Sequence, residues 1–161
     1  MEVEVKQVES LRFVGVRVEF FNSKHSVKEA VNELKKRVME IRNIKDSSTI
    51  FGITTFQINY VVDPNNLIYY VCYEVSKFDE IHNGLEAVLL PSHAYATISY
   101  KGSMSQCQEA YRALDNWVKV NGYEQDKEAS NFDIYTAQHN WHEPEHIENE
   151  LTIYKAINKS K

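Results

Sequence analysis

Glycine, proline and cysteine are scarce in this chain of 161 residues, with 5 Gly, 3 Pro and 2 Cys. So few glycines leave no phosphate-cradling loop and no dinucleotide fingerprint, and no G-x-S-x-G elbow occurs either. The two cysteines, Cys72 and Cys107, lie far apart without paired spacings, and the opening MEVEVKQVES has neither the basic nor the apolar segment of a secretory signal. A reduced, cytoplasmic protein is expected. No apolar run approaches the roughly 20 residues that a membrane-spanning helix needs. Positive charge is also short: 18 Lys+Arg against 23 Asp+Glu give a formal charge of −5. That balance works against a large phosphate-binding surface, so direct nucleic-acid binding is not expected.

Aromatic residues are plentiful, with 10 Tyr, 7 Phe and 2 Trp, and such rings serve both cores and pockets. The length suits one domain covering 1–161, burying roughly 70% of the surface of its unfolded chain. From Leu11 to Phe20 the chain alternates, with Val14, Val16 and Val18 on one parity and Phe13, Gly15, Arg17 and Glu19 on the other, which predicts a strand. Ser26 opens a capping box with Glu29, and Val27, Ala30, Val31, Leu34, Val38 and Ile41 recur at helical spacing, predicting a helix from Val27 to Ile44. Strands follow at Ile50 to Ile58 and Leu67 to Val75, around the turn signal Asp63-Pro64-Asn65-Asn66.

A linking strand at Leu85 to Leu90 leads to a second round of the same order. His93 to Lys101 is a strand marked off by Pro91, and Cys107, Ala110, Tyr111, Leu114, Trp117 and Val118 form a helical stripe closed by Asn121-Gly122. Phe132 to Thr136 and Glu150 to Ile157 supply the last strands, and Phe51-Gly52-Ile53 falls opposite Phe132-Asp133-Ile134. The expected fold is α+β: two βαββ units, about 1–80 and about 90–158, joined in one antiparallel sheet with both helices on one face and a ligand cleft at the pseudo-two-fold seam.

Asp133 stands in an otherwise apolar strand, on the opposite parity from Phe132 and Ile134, as a pocket carboxylate or as a solvent-facing Asp on an edge strand. A sheltered carboxylate can select cations, since unit charges about 4 Å apart attract by roughly 4 kcal/mol at an effective dielectric near 20 and by about 1 in bulk water. Glu74 shares parity with Tyr70 and Cys72 and either faces the cleft or is a solvated strand end. Tyr70, Tyr73, Tyr100, Tyr135 and Trp141 are candidates for cation-π contact, although most such rings belong to the core. Trp117 reads as core, Cys107 as a buried, inert thiol, and Lys35-Lys36-Arg37 as a solvated helix face.

His142-Glu143-Pro144-Glu145-His146 satisfies the H-E-x-x-H zinc signature, with His139 nearby. That chemistry needs both imidazoles one turn apart on a helix. Pro144 disfavours helical geometry at Glu143, and no long apolar helix surrounds the motif, so an acidic, histidine-rich loop without a catalytic metal is expected.

The order of several short segments resembles the gyrase-inhibitor-like (GyrI-like) effector-binding domains, also found as the ligand-binding half of bacterial multidrug-responsive transcription activators of the AraC type. The resemblance is carried by Phe51-Gly52-Ile53, by Tyr69 through Val75, by Leu90 through Ala96 running into Tyr100-Lys101-Gly102, by Trp117 with Asn121-Gly122-Tyr123, and by Phe132 through Tyr135. It implies a duplicated βαββ fold with an aromatic-walled cleft in which an acidic residue receives lipophilic cations. Asp133 stands where the family usually has glutamate, which implies a different ligand or a narrower cleft. The function expected from this likeness is stand-alone, cofactor-free binding of a lipophilic or aromatic cation, linked to transcriptional regulation through a protein partner or to drug sequestration. The residues before Val27 are too few for a helix-turn-helix. Two other functions are compatible with the likeness, a small hydrolase with the cleft carboxylate as general base and a protein-interaction module of the gyrase-inhibitor type.

Overall fold

A computed structural model describes residues 2–19, 26–56 and 67–161. Nine strands, two α-helices and two single 3-10 turns (Val38–Glu40 and Met104–Gln106) make up the regular structure of these residues. The strands and α-helices run β1 (Val3–Val8), β2 (Leu11–Glu19), α1 (Val27–Lys36), β3 (Ile50–Phe56), β4 (Leu67–Glu74), β5 (Glu86–Leu90), β6 (His93–Lys101), α2 (Gln108–Val120), β7 (Tyr123–Gln125), β8 (Asn131–Tyr135) and β9 (Glu150–Lys159). The sheet is antiparallel in the order β1-β6-β9-β8-β3-β4-β2-β5, and β7 pairs with β9 off this path. No helix among the described residues is long and apolar enough to cross a membrane.

The predicted α+β class therefore holds, as one antiparallel sheet with two helices. The expected strands and second helix match within a residue or two, the last strand running two residues further, to Lys159. Phe20, the end of the strand expected to reach Ile58, and the Asp63-Pro64-Asn65-Asn66 turn lie outside the described residues. Two strands went unforeseen. The alternation in Val3–Val8 is exposed on most positions yet completes an edge against β6, and Tyr123–Gln125 is too short to carry a period.

The first helix is shorter than its periodicity implied. Ser26 caps it as expected, its Oγ accepting the Glu29 N–H at 3.2 Å, and Ala30, Val31 and Leu34 are buried. It stops at Lys36, after which Val38–Glu40 form a single 3-10 turn. The backbone beyond is taken by the end of β4: the Lys45 N–H donates to the Glu74 carbonyl at 2.9 Å, the Ser76 N–H donates to Asn43 at 3.0 Å, and Ile44 bridges Val75. Asn43 turns the chain with a φ of 67°, a conformation Asn tolerates better than most residues. Helix α2 ends as predicted: Asn121 Nδ2 donates to the Trp117 carbonyl at 2.8 Å and Gly122 adopts a φ of 83°.

Strand parity divides the core. Val14, Val16 and Val18 of β2 and Tyr69, Val71 and Tyr73 of β4 pack with α1. Ala96 and Ile98 of β6 and Leu151, Ile153 and Ile157 of β9 pack with α2. Cross-strand registers place these two rows on the same side of the sheet. The alternate residues, among them Phe13, Phe51, Ile53, Cys72, Tyr95 and Phe132, form a separate cluster on the other side. Strands β3 and β8 lie at the middle of the order, where Gly52 stands directly opposite Asp133.

Candidate functional site

Over β3 and β8, on the helix side of the sheet, lies a cavity of about 630 Å³. The first turn of α1 contributes Val27 and Lys28, the start of α2 contributes Cys107, Gln108 and Tyr111, and the sheet supplies Thr54, Tyr69, Asp133 and Tyr135. The segment between β8 and β9 closes the wall with His139, Trp141 and Pro144.

Asp133 reaches this side by simple alternation, its neighbours Phe132 and Ile134 pointing into the opposite cluster. Its Oδ2 accepts a hydrogen bond from the Tyr111 hydroxyl at 2.8 Å. Burial pushes the Asp133 carboxyl up to about 6, against the lowering effect of the Tyr111 hydrogen bond. Tyr111, Tyr135 and Tyr69 are held well above the ordinary phenol range, by burial first and then by the nearby carboxylate or neighbouring tyrosines. Their hydroxyls therefore stay protonated at neutral pH.

Gly52 shapes the floor. A Cβ at this position would overlap the Tyr69 hydroxyl, so the absence of a side chain lets the Tyr69 ring lie across β3. There it shares a hydrogen bond with Tyr135. Tyr135, His139 and Trp141 form a triangle of rings, with centroids 4.9 Å (Tyr135–His139), 4.8 Å (Tyr135–Trp141) and 4.4 Å (His139–Trp141) apart. His139 is buried, and burial pushes its pKa down, so this ring contributes no charge at neutral pH.

The H-E-x-x-H segment runs as a pair of turns, the His146 N–H donating to the Glu143 carbonyl at 3.0 Å. Its two histidines are exposed and do not stack on a helix face. Fully buried Asn149 holds the loop, donating from Nδ2 to the Glu143 carbonyl at 2.9 Å and accepting the Asn140 N–H on Oδ1 at 2.7 Å. The Met104 N–H donates to the Pro144 carbonyl at 2.8 Å, fastening this loop to the approach to α2.

Of the residues singled out in the sequence, Asp133, Tyr135 and Trp141 come together in the cavity. Glu74 and Tyr70 do not, because their parity on β4 puts them on the other side of the sheet. Glu74 instead pairs with Lys45 at 3.0 Å. Tyr73 has the helix-side parity but is buried under α1 at 2% exposure. Tyr100 lies outside the cavity wall, donating its hydroxyl to the Ser103 carbonyl at 2.7 Å. Cys107 is half-buried on the cavity wall just ahead of α2 and not buried as expected, while its thiol, pushed up by burial and then by Asp133, agrees with an inert one. Trp117 stacks on Tyr123 at 5.9 Å against the α2 cluster. Sequence reasoning missed Tyr69, Tyr111 and His139; the helical stripe that carries Tyr111 gave no sign that its polar end reaches a carboxylate.

The fold is shared with several solved structures. SAV2435 bound to tetraphenylphosphonium superposes with a TM-score of 0.68 at 15% identity, covering 98% of this chain and 94% of that one. The EcmrR C-terminal domain gives 0.69 at 17% identity, covering 98% of each chain, whereas this chain spans 57% of EcmrR in its DNA complex. A hydrolase from Listeria innocua gives 0.65 at 12% identity, covering 98% of this chain and 92% of that one. No curated protein matches the sequence significantly. The model of the GyrI-like small molecule binding domain matches residues 1–153, and the chain belongs to that family.

Proposed function

We propose that this GyrI-like domain captures a lipophilic or aromatic cation in the cavity over β3 and β8, with Asp133 as its counter-ion. One observation carries the reading: a half-buried carboxylate stands in an aromatic-walled cavity without an ion-pair partner among the described residues, and the hydrogen bond it accepts there comes from neutral Tyr111. Such a group is costly to ionise when the cavity is empty and gains most from an arriving positive charge. The rings of Tyr69, Tyr111, Tyr135 and Trp141 add cation-π surface, worth roughly 0.5 to 2 kcal/mol each. A volume of about 630 Å³ falls in the ordinary range for a small-molecule site. SAV2435, which shares the fold, binds a lipophilic phosphonium.

The proposal includes a duplicated origin for the site. What supports it is the strand order, in which β6-β9-β8 mirrors β2-β4-β3 about the central pair. Two βαββ copies, about residues 1–80 and 90–158, would then meet at the Gly52–Asp133 pair, the cavity above the seam having a carboxylate in one copy and a space-giving glycine in the other.

Calorimetric titration of tetraphenylphosphonium into the protein and its Asp133→Asn variant tests this reading. A loss of about tenfold or more in the variant is expected. Equal affinities would remove Asp133 from the role, and a change in ligand mass on incubation would convert the binding site into a hydrolytic one.

A further inference from the structure

With His139 neutral, two side chains carry formal charge among the described residues of the cavity wall, and they have opposite signs. Asp133 lies on the sheet floor and Lys28 in the first turn of α1. Lys28 is exposed and takes part in no ion pair among the described residues. The helix terminus reinforces its sign, with Glu29 beside it the one acidic residue of that turn. The Ser26 cap accepts the Glu29 N–H and the Ala30 N–H bonds the Ser26 carbonyl, while the N–H groups of Val27 and Lys28 come before the first possible intrahelical bond. Lys35 lies two turns further along α1, on the same side as Lys28.

Charge is therefore separated across one cavity, negative on the floor and positive along the α1 side. A simple monocation gains at Asp133 and is opposed at Lys28, whereas a molecule with both signs gains at both ends. We infer that this cavity takes an aromatic zwitterion, its cationic group on Asp133 and its anionic group on Lys28 at the mouth. The inference rests on the reading of Asp133 as counter-ion and adds Lys28 as the residue that sets ligand class.

A matched pair of fluorescent probes separates the two readings: rhodamine B, which carries a carboxylate beside its cationic ring system, and its ethyl ester, which is a cation only. Fluorescence anisotropy at mildly alkaline pH, where Asp133 is ionised, would measure both on the wild type, Lys28→Ala, Lys28→Glu and Asp133→Asn. The wild type should favour the carboxylate by about fivefold, the scale of a solvent-accessible ion pair. Lys28→Ala should abolish that preference without weakening the ester, and Lys28→Glu should reverse it. Because Lys28 is exposed, both variants keep the fold. Asp133→Asn should weaken both probes. If the ester binds as well as the carboxylate in the wild type, or the ratio survives Lys28→Ala, the zwitterion inference falls and the cation site stands. If neither probe binds the wild type, both readings fall together.

Discussion

The two sides of β8 differ more than their sequence separation suggests. Phe132 and Asp133 are adjacent, yet one is buried at 3% exposure among Phe13, Phe51, Tyr95 and Tyr154, and the other faces a cavity. On the Phe132 side the rings fill space: Phe132 stacks on Tyr154 at 4.5 Å and meets Tyr95 edge-on at 5.1 Å. On the Asp133 side rings of similar size leave about 630 Å³ unfilled. The first arrangement gains stability from close packing, and the second gives some of it up to keep a polar, ligand-sized space.

The sharpest way to break that contrast is to truncate each side in turn. Phe132→Ala should cost about 3 to 5 kcal/mol in denaturant unfolding, the range for removing a buried ring. Asp133→Asn should instead raise stability at neutral pH by about 2 to 3 kcal/mol, because a carboxyl pushed up to about 6 is penalised whenever it is ionised. The sign follows from proton binding. Between its unfolded value near 4 and about 6, the folded state holds the Asp133 proton more tightly than the unfolded state, so this group's contribution falls as pH rises through that window. Wild-type stability should show that decline and Asp133→Asn should lack it. Cation affinity should run the other way, rising with pH up to about 6 and then levelling.

Gly52→Ala sharpens the comparison at the cavity floor. The added methyl meets the Tyr69 hydroxyl, and a loss of about 1 to 3 kcal/mol is expected. In a Tyr69→Phe background the loss should shrink, and a double-mutant cycle by thermal unfolding measures the difference. The smallest effect belongs to Glu74. Its partner Lys45 is exposed and the pair lies at the sheet end away from the cavity, so Glu74→Gln should change stability by about 1 kcal/mol or less and leave cation binding intact. A loss of binding in that variant would mean that the cavity is not the site.

Much of the fold was legible because its signals are local. The Val14-Val16-Val18 alternation, the Ser26 cap and the Asn121-Gly122 terminus each depend on a few neighbouring residues, and each appears where expected. The end of α1 was not legible, since nothing in the Val38 and Ile41 spacing announces that β4 takes the backbone of Asn43 through Lys45. The site was legible in the same proportion. Parity alone put Asp133 opposite to Phe132, but the same rule could not say which side of β4 carries Glu74 and Tyr70 away from the helices.

By itself, then, the amino-acid sequence determined the class of the fold, the approximate position of most of its elements, and the presence of one carboxylate in an apolar strand facing away from its neighbours. Those properties are set by periodicity, capping and turn chemistry over short stretches. Only the tertiary structure decided that Asp133 lies beside Tyr111, that Tyr69 crosses Gly52 to reach Tyr135, and that Lys28 shares the cavity. Those contacts join residues far apart in the chain, and their existence depends on strand order and helix placement, which no local pattern encodes.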